Sequence, residues 1–421
     1  MPHTLIVGVD PHRQKNVMQL MDDQGHLLGP PYRTDNNRPG TTAFVQHLTE
    51  QLAEGEYDRV QIATEATGWY WFHFFQHLSQ DPDLNRWPLE LYLFNPRLTA
   101  NFKRGYGERD KTDPNDAFIV ADRFRFGRDL PAPFHFDQTH LPLRFLTRYA
   151  YHLAHQLARE KSYALAILYL KISEYSHPHK SPFQNIFGAA SRAVLHDFAS
   201  IAEIAAIDLT ELAAFIDARG GHRFADPETN ARKLHLVAEH SYPLAPALQH
   251  PINDILALSF KHISFLEAHQ KRLNAAIARQ LATIPHTLDT IPGIGPLFSA
   301  GLIAEIGSLD RFDFNQAKVA KFAGLMWRKS QSDQFQAQAT PIIRNCNHYL
   351  RYYFCEAANS VRMHDPEYKA FYDRKFHQVP KYKQSQRPPV GKRAIVLTAR
   401  KLVRLVVRLL TTNQPYRPRR R

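Results

Sequence analysis

The chain has 421 residues, 44% hydrophobic and 22% charged, the composition of a globular protein of two or three domains rather than a disordered or fibrous one. Its two cysteines, Cys346 and Cys355, exclude a disulfide scaffold and a four-cysteine zinc site, and no uncharged apolar run reaches the roughly 18 residues of a membrane-spanning helix. The formal charge of +13 is unevenly placed: no acidic residue follows Asp373, whereas 15 lysines and arginines lie between Arg374 and Arg421. The first residues carry no pattern of a secretory signal, so a reducing cytoplasm is expected. The basic end is the electrostatic footprint expected for nucleic acid, with a solubilising tail as the plainer reading. A membrane role is disfavoured, although a basic helix rich in Val and Leu also suits anionic lipid.

In chain order, residues 4–10 read as a β-branched strand ending in Asp10, and 15–23 and 26–34 as two strands around the turn Gln24-Gly25. Residues 40–54 place Phe44, Leu48 and Leu52 on one helical face. A strand at 59–65 ends in Glu65, 68–80 is helical, and 89–95 is the next strand. The run Lys111-Thr112-Asp113-Pro114-Asn115-Asp116 opens a helix reaching Phe126, with Asp113 suited to the N-cap and Pro114 to the first turn. This order predicts an α/β domain, a mixed sheet with helices packed on it. From about 140 the chain turns helical. Long helices are expected at 139–172 and 246–282, forming either a coiled coil or ordinary helical packing, around an Ala-rich stretch at 189–242. A mostly helical region follows IPGIGP to about 362, then a Pro/Lys/Gln linker near 379–390 and a helix over 391–410.

Four acids stand out by placement. Asp10 and Glu65 end strands, and Asp113 and Asp116 share one helical turn. The first and fourth strands of a mixed sheet can be neighbours, which would bring these carboxylates together. Four carboxylates in one place repel unless a cation joins them, and Mg²⁺ is the hard cation that takes such oxygens and supports phosphoryl transfer. Taken singly, Asp10 is also explained as a turn residue and Asp113 as a cap.

The second set begins at Ile291-Pro292-Gly293-Ile294-Gly295-Pro296. Gly293 and Gly295 can expose backbone amides to a nucleic-acid phosphate, or simply form a tight helix–helix turn. Beyond it, Arg328, Lys329, Arg344 and Arg351 suit a phosphate substrate, and no GxSxG elbow accompanies the nearby serines, which argues against acyl hydrolysis.

VGVD, ATEATG and KTDPNDA, followed by IPGIGP, AEIG, AGL and CNHYLR, resemble the DEDD-type transposases of the bridge-RNA-guided insertion sequences, relatives of the pilin-gene invertases. The resemblance covers about 1–130 and 285–362. It implies a RuvC-like (RNase H-like) DEDD catalytic domain at 1–135, a helical, coiled-coil middle at 136–284, and a mostly α transposase domain at 285–375 with a helix-hairpin-helix-like motif. A basic tail would occupy 376–421. Carried over by motif, the metal-binding acids are Asp10, Glu65, Asp113 and Asp116, holding Mg²⁺. The serine nucleophile is Ser332, with Ser330 as fallback. Asp333 stands where the family has a glycine, and Cys346 precedes Asn347 where another glycine is usual. The implied partners are donor and target double-stranded DNA, a structured guide RNA and further copies of the chain, a dimer or tetramer, in the bacterial cytoplasm at the nucleoid. Expected nucleic-acid contacts are Gly293, Gly295, Arg328, Lys329, Arg344, Asn347, Arg351, Lys392, Arg393, Arg400, Lys401 and Arg404. The alternative is a RuvC-like, metal-dependent nuclease using water and no covalent serine intermediate.

Overall fold

The computed structural model describes residues 3–107, 112–128, 130–177, 181–327, 331–332, 335–336, 342–343, 345–378 and 390–418. Two units divide the chain, Met1–Gln138 and Thr139–Arg421.

In the first unit, β1 (Thr4–Pro11), β2 (Lys15–Met21) and β3 (Tyr32–Asp35) lead to α1 (Arg38–Glu54). Then come β4 (Arg59–Glu65), α2 (Tyr70–Gln80), β5 (Leu89–Phe94), α3 (Pro96–Lys103) and α4 (Asp113–Arg125). The sheet order is β3-β2-β1-β4-β5. The β1–β2 and β2–β3 pairs are antiparallel, and β1–β4 and β4–β5 are parallel, so the expected mixed sheet and the adjacency of β1 with β4 are both present.

The second hairpin strand begins later than the sequence suggests. The Asp22 carboxylate accepts the amides of Gln24, Gly25 and His26, and Gly25 adopts φ +101°. Beyond the Met21–Leu27 bridge, pairing stops until Tyr32. Pro30 and Pro31 have no amide to give to a ladder.

Alternation along β1 sorts its side chains between two cores. Leu5, Val7 and Val9 join Phe44 and Leu48 of α1 and Phe74 and Phe75 of α2. Ile6 packs with Ala63, Tyr92 and the α4 residues Val120, Ala121 and Phe124 on the opposite face. Gly8 shares that second face, and a Cβ there would overlap the Ala117 carbonyl oxygen and the Ala121 amide nitrogen. The missing side chain is what lets α4 lie directly on β1. We predict that Gly8→Val forces the two apart, costing roughly 1–3 kcal/mol. It should also move the first turn of α4 away from β1. A lowered denaturant-unfolding midpoint checks this.

The second unit is helical among the described residues apart from two short strands. Its helices begin with α5 (His140–Lys171), α6 (Ala189–Asp197), α7 (Ile201–Ala206), α8 (Leu209–Arg219), α9 (Pro227–His240) and α10 (Pro246–Leu281). Then come α11 (Pro296–Ile306), α12 (Gln316–Phe322), β6 (Gln331–Ser332), β7 (Phe335–Gln336), α13 (His348–His364), α14 (Pro366–His377) and α15 (Val390–Thr412). The long helices α5 and α10 run antiparallel and carry a core at each end. Leu143 and Ala150 of α5 meet Ile277 and Leu281 of α10 in the core shared with α11–α15. Ala164 and Leu168 meet Ile252, Leu256 and Ile263 in the core shared with α6–α9. Residues 181–242, which match no motif, thus form a helical cap built on the core they share with α5 and α10.

One expectation is corrected here. The described part of 376–421 is no separate tail. Leu402, Val403, Val406, Val407 and Leu409 of α15 are buried in the α11–α14 core, so the helix cannot be removed without opening that core. The linker near 379–390 lies almost wholly outside the described residues.

Candidate active site

The four acids converge at one end of the sheet. Val9 pairs with Thr64, so Asp10 and Glu65 leave the carboxyl ends of adjacent parallel strands. By alternation both belong to the face that α4 covers. Asp113 and Asp116 stand in the first turn of α4, where negative charge is favoured by the helix dipole. The N-cap is Thr112 rather than Asp113: the Thr112 carbonyl accepts the Asp116 amide at 3.0 Å, and Pro114 takes the first turn as expected.

Burial pushes the Asp10 carboxyl above its ordinary range; His12 opposes the shift, and the charges of Asp116 and Asp113 add to it. Burial likewise raises Glu65, with a hydrogen bond from Thr67 opposing and the charges of Asp10 and Asp116 adding. Asp113 is shifted down, chiefly by its hydrogen bond from Lys15.

Three basic groups meet the acids. His12 Nε2 lies 3.1 Å from Asp10 Oδ2 and 3.4 Å from Asp113 Oδ1. Lys15 Nζ is 2.6 Å from Asp113 Oδ2, and Lys103, the last residue of α3, pairs with Asp116. Sequence reasoning missed all three. The available signal for His12 was its place two residues beyond Asp10, at the exit of β1.

The donor set suits a divalent cation. One atom each from Asp10, His12 and Asp113 lie within 4.8 Å of one another, and Glu65 and Asp116 add hard oxygens that interact electrostatically with Asp10. Two of these carboxylates are raised, chiefly by burial and further by their neighbours' charges, and a bound cation relieves that repulsion.

The remaining expected residues belong to the second unit. Ser332 is in β6, paired with Phe335 of β7. Arg328, Lys329, Ser330, Asp333 and Arg344 lie outside the described residues. Gly293 has φ +92°, and a Cβ there would press on the Ser360 carbonyl of α13, so this glycine has a packing role. Gly295 starts α11 with extended backbone and open space around it.

Several of the residues expected to contact nucleic acid make hydrogen bonds within the chain. Asn347 caps α13, accepting the Leu350 amide at 3.0 Å, and its Nδ2 donates to Glu305 Oε2 at 2.7 Å. Arg351 donates to the carbonyls of Ala323, Gly324 and Ile343, clasping the AGL turn. Arg400 donates to the Leu325 carbonyl and Lys401 to Glu367. Lys392, Arg393 and Arg404 are exposed.

Glu305, fully buried in the AEIG helix α11, also receives both Arg148 Nε at 2.7 Å and a terminal Arg148 nitrogen at 3.0 Å. Arg148→Met leaves that carboxylate buried without its cation, and roughly 3 kcal/mol of stability should be lost. An unchanged denaturant midpoint would show that Asn347 alone suffices.

A mixed sheet whose central parallel strands end in paired carboxylates, backed by a helix that adds two more, is the framework of a phosphoryl-transfer enzyme. Two family models match the chain: a DEDD transposase model of the IS110 type over residues 7–171, and a transposase model of the IS116/IS110/IS902 family over residues 285–373. The mini-circle putative transposase for IS117 of Streptomyces coelicolor is 24% identical, with 76% of each chain covered. The protein is a DNA transposase. More narrowly, the chain belongs to the IS110/IS116/IS902 transposase family, its two matches together spanning more than half of its length.

Proposed function

We propose that this transposase performs RNA-guided DNA strand exchange for an insertion sequence, with Asp10, Glu65, Asp113 and Asp116 as the acids of a Mg²⁺ site and Ser332 as nucleophile. The observation that carries the reading is the convergence of β1, β4 and the first turn of α4 on one carboxylate cluster. Bound there, Mg²⁺ would neutralise charge developing on a DNA phosphate. Asp10 and Glu65, on rigid strand ends, hold their oxygens in place, and His12 orients Asp10 through its 3.1 Å contact. Lys15 and Lys103 add positive charge beside the position a phosphate would take.

In the covalent step, the Ser332 hydroxyl oxygen bonds to phosphorus while the bond to one strand's oxygen breaks. The serine proton leaves to that oxygen or to solvent. A DNA hydroxyl later attacks the phosphoserine, releasing serine and joining the new strand, so the phosphodiester energy is retained. The family resemblance supplies the guide RNA, the pairing of donor and target DNA, and an oligomer in which acids and serine come from different copies.

In the same reading 1–135 is the RuvC-like catalytic domain, 136–284 the coiled-coil middle and 285–375 the transposase domain with a helix-hairpin-helix-like turn at Gly293 and Gly295. Arg328, Lys329, Arg344, Lys392, Arg393 and Arg404 contact nucleic acid, and the enzyme works at the bacterial nucleoid. Trapping a covalent protein–DNA adduct with labelled substrate tests the reading. Mg²⁺-dependent cleavage with no adduct would favour a water-using nuclease instead.

A further inference from the structure

A groove of about 880 Å³ belongs wholly to the second unit, lined by α14, the C-terminal half of α15 and residues 414–417. Its outer wall is tied in place. After α15 ends, Asn413 adopts φ +47° and turns the chain back. Thr287 Oγ1 donates to the Gln414 carbonyl at 2.9 Å, and the Tyr416 amide donates to Thr290 Oγ1 at 2.8 Å. The Tyr416 hydroxyl donates to Asp365 Oδ2, on the N-cap residue of α14, at 2.7 Å.

The charge lining the groove is one-sided. Arg374, Lys401, Arg404, Arg408 and Arg417 line it, and the single acid among the lining residues, Glu367, is matched by Lys401 at 2.7 Å. Arg404, Arg408 and Arg417 are exposed and have no acidic partner among the described residues. Arg404 and Arg408 stand one helical turn apart on the same face. Beside these cations are the half-buried rings of Phe371 and Tyr416.

Cations spread over more than a turn suit a repeating polyanion better than one isolated phosphate. A duplex keeps its bases stacked inside and offers phosphates on a convex surface, so it could use the arginines but neither the recess nor the rings. An anionic lipid surface needs a projecting apolar face, and here the apolar groups are recessed. An unpaired strand uses every element: phosphates on guanidinium groups and a base against an aromatic face. We propose that this groove binds a single-stranded stretch of nucleic acid, with phosphodiesters on Arg404, Arg408 and Arg417 and a base against Tyr416 and Phe371. The site is independent of Ser332 and of the metal.

The test uses the full chain and fluorescent oligonucleotides of about 12 nucleotides, as DNA, as RNA and as duplex, with anisotropy followed over a salt series. Arg404→Gln/Arg408→Gln should weaken single-strand binding about tenfold or more and lower the log–log salt slope by about 1.4, two contacts at about 0.7 each. Duplex affinity should change less than about twofold. Tyr416→Phe, which loses the Asp365 bond but keeps the ring, should bind like the parent, and Tyr416→Leu should lose about tenfold. Whichever strand binds more tightly identifies the source as DNA or RNA. If the double variant fails to fold, the exposed Arg417→Gln substitution tests the same slope with a change of about 0.7. Equal losses for duplex and single strand, no loss at all, or competition by polyglutamate as effective as by oligonucleotide would each overturn the proposal.

Discussion

Asp10→Asn and Asp113→Asn should each reduce strand exchange by about 10²- to 10³-fold, the loss expected when a group stabilising transition-state charge is removed. Their stabilities should respond differently. Asp10 is pushed up by burial, and the charges of Asp116 and Asp113 add to the shift against His12, so its charge is a burden in the folded chain. The amide removes that charge at nearly constant volume, and the melting midpoint should stay level or rise. Asp113 is shifted down by Lys15, so its charge is favourable when folded, above the pH of its depressed titration. Removing it costs only the worth of a partly exposed pair, up to about 1 kcal/mol. Loss of activity alongside a neutral or positive stability change in Asp10→Asn therefore separates catalysis from folding. Calorimetric titration with Mg²⁺ or Mn²⁺ should show weakened binding in both variants. Full activity of both in Mg²⁺ would remove the metal site from the account.

What made this cluster readable was local. A β-branched run ending in Asp10, another ending in Glu65 and a Thr-Asp-Pro helix start each announce themselves within a few residues. Only one tertiary inference was needed, that the first and fourth strands are neighbours, and the sheet has that order. What stayed hidden depends on contacts distant in sequence. Gly8 reads as one more small strand residue until α4 is laid on it. Lys15 and Lys103 look like ordinary surface lysines, because nothing within their own segments points to Asp113 and Asp116.

The second unit is harder to read. Asn347, Arg351, Arg400 and Lys401 have the chemistry of nucleic-acid ligands, and within the chain they also bond a helix end, Glu305, backbone carbonyls and Glu367. Residue type cannot tell an arginine that binds phosphate from one that clasps a turn, since both offer the same planar donors. In α15 the net charge outweighed a signal that was present: buried positions at 399, 402, 403, 406, 407 and 409 follow helical periodicity and mark a core helix.

Ser332→Ala should bind DNA and RNA as the parent does, within about twofold, yet form no covalent adduct and lose recombinant product by roughly 10⁴-fold or more, as when a nucleophile is removed. The carboxylate cluster alone could direct water at a phosphate, but hydrolysis discards the energy of the cleaved bond. A serine ester keeps that energy for rejoining the strand. Ser332 is in β6, in register with Phe335 of β7, so its backbone is extended. Residues two apart on a strand share a face, so strand geometry by itself does not separate Ser332 from Ser330, which lies outside the described residues. Mass spectrometry of the trapped adduct does separate them: the phosphopeptide should carry its label on Ser332, and a label on Ser330 would move the role by two positions. The Ser330→Ala/Ser332→Ala variant tests the chemistry itself. It should retain the Mg²⁺ binding of the parent, because the acids belong to the first unit, while strand exchange disappears. Strand exchange at the parental rate in that double variant would eliminate the serine ester, and the carboxylates would then have to act on water or on a DNA hydroxyl directly.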